Sequence, residues 1–244
     1  MVERYTLTSL DQVPGVFGAE LPDGSVPRFN IAALQIVPIR SAGGLVLARW
    51  GLLPPWRGHG GKRGPHVLHA PRDDLERVPL LRNAFKTQRC LVIADGFFVR
   101  RRSGKPPPAI ARTGSRPAAS ASPAVGWSWV HPSPDRTPPH ARSRPIGFAG
   151  LAATHRDDAQ PSFAIIVGPP DALIAPYAPA MPLVVPADGH AAWLRGPQDR
   201  ARELLSGTLD GWRAEPVSTW VSAVEHDDPR CIEPIGNAAQ GELF

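Results

Sequence analysis

Two cysteines in 244 residues, Cys90 and Cys231, are too few for a disulfide framework or a cysteine-rich zinc site. No apolar run approaches the ~20 residues that a membrane-spanning helix needs, so no membrane association is expected. The opening "MVERYTLTSL" has no basic segment followed by an apolar one, which argues against a secretory leader. A cytoplasmic protein with reduced thiols is the expectation. The sequence also has no G-x-S-x-G elbow, no phosphate-binding P-loop and no H-E-x-x-H. Its eight histidines are scattered, without spaced acidic or histidine partners, so neither a metal nor a cofactor is expected.

Apolar residues make up 42% of the chain, enough for a sizeable core in one large domain or two small ones. The formal charge of +5 is unevenly placed: residues 100–144 carry a net +8 and the remainder −3. That basic segment is rich in proline, serine and alanine and poor in periodic apolar pattern. It reads as a long surface loop or disordered insertion rather than a nucleic-acid arm.

Outside it, short apolar runs bounded by turn signals predict strands. These are "LVLARWGLLPPW" (45–56), "RCLVIADGFFV" (89–99), "IGFAGLAAT" (146–154) and "SFAIIVGPP" (162–170). Asp95-Gly96 between two apolar runs reads as a tight hairpin turn. Helices are predicted over 78–86, 187–196 and 198–207, the last two closing on glycine. There is no βαβ alternation and no internal repeat. The pattern therefore fits an α+β domain with a barrel-like, mainly antiparallel sheet core and a few short helices. Cys90 and Cys231 both read as buried structural thiols.

Six phrases then occur in order: "PRFNIA" (27–32), "ARWGLLPPW" (48–56), "FKTQRCLVIADGFF" (85–98), "GFAGL" (147–151), "MPLVVP" (181–186) and "EPVSTWV" (215–221). Together they resemble the SOS-response-associated peptidase (SRAP) family. The likeness implies one SRAP-like domain over 1–235, interrupted by an insertion at about 113–144 and followed by a tail, 236–244. It also implies a groove for single-stranded DNA and chemistry at abasic sites. In the family, an N-terminal cysteine closes a thiazolidine ring on the sugar aldehyde, and an asparagine, a glutamate and a histidine complete the site. The chemistry suits those residues, since a thiolate is a potent nucleophile and an α-amine with a pKa of about 7.7–8.0 is partly neutral.

Carried over position by position, the site is empty of that chemistry. The nucleophile corresponds to Val2, the asparagine to His69, the glutamate to Val99 and the histidine to Ala178. Pro71 and Ala180 stand where the family has arginines, and Val167 and Gly168 where it has threonines. No catalytic position is intact, and neither valine nor alanine can transfer a proton. A lone histidine such as His69 is more often a solvated bystander than a functional group. For DNA contacts the resemblance implies Arg4, Trp50 and Trp56, and Arg49 and Arg89 read as further phosphate contacts, weak individually because arginine is abundant throughout the chain. Trp56 follows the Pro-Pro break and can stack on a base, whereas Trp50 reads better as core.

Three functions stay open at this point. The first is weak, crosslink-free binding of single-stranded DNA, abasic or not, by a monomer. The second is a regulatory pseudoenzyme that meets a protein partner through the 113–144 insertion. The third is a divergent enzyme using the Val2 amine as a Schiff-base lyase.

Overall fold

Eleven consecutive residues, 89–99, are buried, and their path organises the fold. The computed structural model describes residues 2–54, 64–100, 126–133, 144–154, 160–205 and 207–235. In it the buried run makes two strands, β6 (Arg89–Ala94) and β7 (Gly96–Arg100), which do not pair with each other. Strand β6 lies between β3 (Ile36–Ser41) and β9 (Ile146–Ala153). Strand β7 lies between β1 (Arg4–Leu7) and β8 (Trp127–Pro132). The hairpin expected at Asp95-Gly96 is therefore a corner at which the chain leaves one sheet for another.

The chemistry of that corner explains both residues. Asp95 is fully buried and its carboxylate accepts from Thr6 Oγ1 (2.5 Å), Thr8 N (2.5 Å), Thr8 Oγ1 (2.8 Å) and Ser9 N (2.9 Å). A buried charge is tolerated only when its acceptors are filled in this way. Gly96 is absent from the residues with positive φ. Its role is close approach, because a Cβ there would collide with the Trp129 indole.

The first sheet closes on itself. Strands β3, β4 (Gly44–Trp50), β6, β9 and β10 (Ser162–Gly168) form a five-stranded barrel, completed by pairing of β9 with β10. Within it only the β4–β10 contact is parallel. Small residues on β9 make the closure possible: a side chain at Gly150 would press on Cys90 Sγ and Val92 Cγ2. Three short strands extend the barrel sheet. They are β5 (His69–Pro71) and β11 (Met181–Pro182) beside β10, and β12 (Val184–Val185) beside β9. The second sheet is open, in the order β13 (Trp212–Val217), β8, β7, β1, β2 (Arg28–Ala32).

Strand β8 corrects the reading of 113–144 as a surface insertion. It occupies an interior position of the open sheet, paired to β7 on one side and β13 on the other. Trp127, Trp129, Val130 and His131 on it are buried. Trp127 and Trp129 belong to a second apolar cluster with Phe98, Val217, Val221 and Cys231. The composition around β8 hides it, since six strand residues sit inside a proline- and arginine-rich stretch. The rest of the insertion, 113–125 and 134–143, lies outside the described residues, as does the tail 236–244.

Helices are short. Segments α2 (Pro79–Thr87), α3 (His190–Arg195) and α4 (Gln198–Glu203) fall within a few residues of their expected bounds. An additional one, α1 (Val13–Phe17), ends on Gly18 in the left-handed conformation, φ 62°. Cys90 and Cys231 are buried free thiols, and burial pushes both above the ordinary thiol range. Among the described residues no helix is long and apolar enough to cross a membrane.

Candidate functional site

The site is built where the start of the chain runs into β1, beside β5 and the segment between β10 and β11. Val2 is buried at 1% exposure, and its carbonyl accepts a hydrogen bond from His69 Nε2 at 2.8 Å. A carbonyl only accepts, so Nε2 carries the proton and Nδ1 is the free acceptor of the neutral ring. Burial holds the His69 pKa below the ordinary imidazole value, which keeps the ring neutral near pH 7. The ring also meets Trp50 edge-on, with centroids 6.0 Å apart. His69 is thus half-buried and anchors the N-terminal segment, which replaces its reading as a solvated bystander.

The other two family positions are apolar in surroundings as well as in identity. The register that sets Arg4 opposite Phe98 carries Val99 toward the start of the chain. Val99 is buried at 1%. Ala178 follows the turn begun at Ile174, whose carbonyl accepts from Ala178 N at 3.0 Å. Val2, Val99 and Ala178 all belong to the main apolar core. A proton-transfer group is missing from each of these three side chains.

The residues expected to face DNA separate into three groups. Arg4 and Arg49 are half-buried, and neither forms an ion pair among the described residues. The Arg4 Nε is buried without a hydrogen-bond partner, and Arg49 Nη1 donates to the Leu34 carbonyl at 2.8 Å. Arg89 is a correction, and Trp50 is the core residue its sequence suggested. Trp50 has no exposed surface; its indole donates to Leu68 O at 3.0 Å and packs edge-on to Tyr5. Arg89 is 7% exposed and spends its guanidinium on carbonyls of Phe85 (2.6 Å), Trp193 (2.5 Å) and Gly196 (2.5 Å), capping the ends of α2 and α3. Both side chains are committed inside the fold. Trp56 lies outside the described residues.

A cleft of about 680 Å³ opens beside this site, over the end of β10 where β5 and β11 flank it. Val67, Leu68, His69, Pro71, Arg72, Asp73, Val167, Gly168, Pro169, Pro170, Pro179 and Ala180 line it. The substituted positions 69, 71, 167, 168 and 180 therefore converge on one concave surface. Scattered substitutions in a linear sequence give no sign of that convergence.

The family model described as SOS response associated peptidase (SRAP) matches residues 1–224. The abasic site processing protein YoqW of Bacillus subtilis (strain 168) is 26% identical, over 96% of this chain and 99% of that protein. A second B. subtilis relative, the abasic site processing protein YoaM, is 31% identical over 40% of this chain and 46% of its own. A crystal structure of a protein from Bacteroides thetaiotaomicron has a TM-score of 0.72 at 15% identity, covering 95% of this chain and 98% of that one. Another, from Bordetella bronchiseptica, reaches 0.64 at 17% identity, covering 89% and 100%. At such identities the structures speak for the fold alone. With the family model spanning nearly the whole described chain, the protein belongs to the SOS response associated peptidase family.

Proposed function

We propose that this protein is a non-crosslinking member of the family that binds single-stranded DNA weakly, through phosphate contacts. One observation supports the first half of that reading: Val2, its carbonyl tied to His69, and Val99 and Ala178 are buried apolar residues at the positions where the family resemblance expects nucleophile, acid and base. An abasic aldehyde held there would meet no thiol and no proton donor from these three residues. Arg4 and Arg49 support the second half, as guanidinium groups with no ion pair among the described residues. Relatives named as abasic site processing proteins make a DNA strand the first ligand to test.

The test is fluorescence anisotropy of a labelled oligothymidylate across a salt series. Each phosphate contact on a single strand contributes a slope of about −0.7 in log affinity against log salt. Arg4→Ala and Arg49→Ala are each expected to weaken binding and flatten the slope by about that amount. Affinity independent of salt, or unchanged slopes in both variants, would remove these arginines from any DNA contact.

A further inference from the structure

We propose that the cleft over the end of β10 binds an uncharged, predominantly apolar small molecule. This goes beyond the DNA reading and does not depend on it.

Charge decides the ligand class. Among the described residues Arg72 is the cation on the lining; it donates from Nη1 to the Leu205 carbonyl at 3.3 Å, and its Nε lies 3.7 Å from the Asp73 carboxylate. Among the described residues the charges on the lining are therefore an opposed pair, not a cluster of one sign. An anion seated among Pro71, Val167, Pro170, Pro179 and Ala180 would lose its hydration without gaining a counter-charge. A neutral apolar body loses nothing comparable and gains from leaving water. Shape supports the same class, because 680 Å³ falls within the roughly 300–1,000 Å³ typical of small-molecule sites. The walls are also rigid. Four of the lining residues are prolines, which have almost no rotamer freedom to lose when a ligand arrives. Besides the Arg72–Asp73 pair, the polar side chain on the described lining is His69, whose Nε2 proton is already given to Val2 O. Its Nδ1 is an acceptor, suited to a guest with a single N–H or O–H donor.

The probe is N-phenyl-1-naphthylamine, uncharged and carrying one N–H, whose fluorescence rises in apolar surroundings. Its sulfonated counterpart, 8-anilinonaphthalene-1-sulfonate, has the same rings and a negative charge. Saturable one-to-one binding of the uncharged dye is expected, at least tenfold tighter than that of the sulfonate. Ala180→Arg, which places an unpaired cation in the cleft, is expected to weaken the uncharged dye at least tenfold. Pro179→Asp alters an exposed wall position and serves as a second variant, with the same loss expected. Leu47→Ser, at an exposed apolar residue outside the cleft, should leave binding unchanged. Unfolding midpoints of all three variants confirm that the folded protein is being compared. The proposal is overturned by a non-saturable signal, by equal affinity for the two dyes, or by unchanged binding in a folded cleft variant.

Discussion

Replacing Asp95 with alanine is expected to destabilise the protein by about 3–5 kcal/mol, lowering the melting temperature by roughly 10 °C. The magnitude follows from what the carboxylate holds. Its four donors come from Thr6, Thr8 and Ser9, so it ties the end of β1 and the turn after it to the corner between the barrel and the open sheet. Removing it strands two backbone N–H groups and two hydroxyls where water has little access. The Trp129 indole, which donates to Thr6 Oγ1 at 3.3 Å, would lose the orientation of its acceptor too. Asp95→Asn keeps the shape but brings an amide donor among donors, so an intermediate loss is expected. Thermal or denaturant unfolding measures both variants. A change under about 1 kcal/mol for the alanine would show that the corner is held by packing alone.

Deleting residues 113–144 is expected to abolish folding. The deletion takes all of β8, which pairs with β13 from Trp127↔Val217 to Pro132↔Trp212 and with β7 from Phe97↔Val130 to Arg100↔Trp127. Two buried tryptophans go with it, each worth about 3–5 kcal/mol when truncated. Together with the lost ladder, that rivals the whole ~5–15 kcal/mol by which domains are stable. Removing 113–125 alone spares every described contact of β8 and is expected to leave a cooperative unfolding transition, since loop-closure entropy changes slowly with length. Circular dichroism and a thermal melt of the two deletions decide the matter. A native-like melt for the full 113–144 deletion would mean that β8 is dispensable.

These two cases also mark where the sequence was legible. The apolar runs of β6, β9 and β10 are strong enough to name as strands, and the six ordered phrases bring the fold with them. Asp-Gly signals a change of direction, but nothing local states whether the next strand returns to the same sheet. That depends on Thr6 and Thr8, almost ninety residues earlier. In β8 the strand residues alternate Trp and Ser within low-complexity sequence, and composition overrode the short pattern. Trp50 and Arg89 show a different limit. Both sit in family phrases, and an arginine on a phosphate and an arginine capping two helices look identical until the carbonyls of Phe85, Trp193 and Gly196 surround it. The resemblance points position by position to Val2, His69, Val99 and Ala178 as the candidate site. Of these only His69 lines the cleft, where Pro71, Val167, Gly168 and Ala180 join it once β5, β10 and β11 are brought side by side.

The central claim is that the site no longer forms the family's covalent bond, and intact-mass spectrometry tests it most directly. The protein is incubated with single-stranded DNA carrying one abasic site, with and without borohydride, then heated before measurement. If Met1 is removed, Val2 offers an α-amine that can condense with the aldehyde to an imine, releasing water. With no β-thiol the imine cannot close to a thiazolidine, and it hydrolyses back to amine and aldehyde. The predicted result is no heat-stable adduct without reductant, and at most a trace of reduced amine adduct with it. A heat-stable protein–DNA adduct formed in the absence of borohydride would contradict the claim.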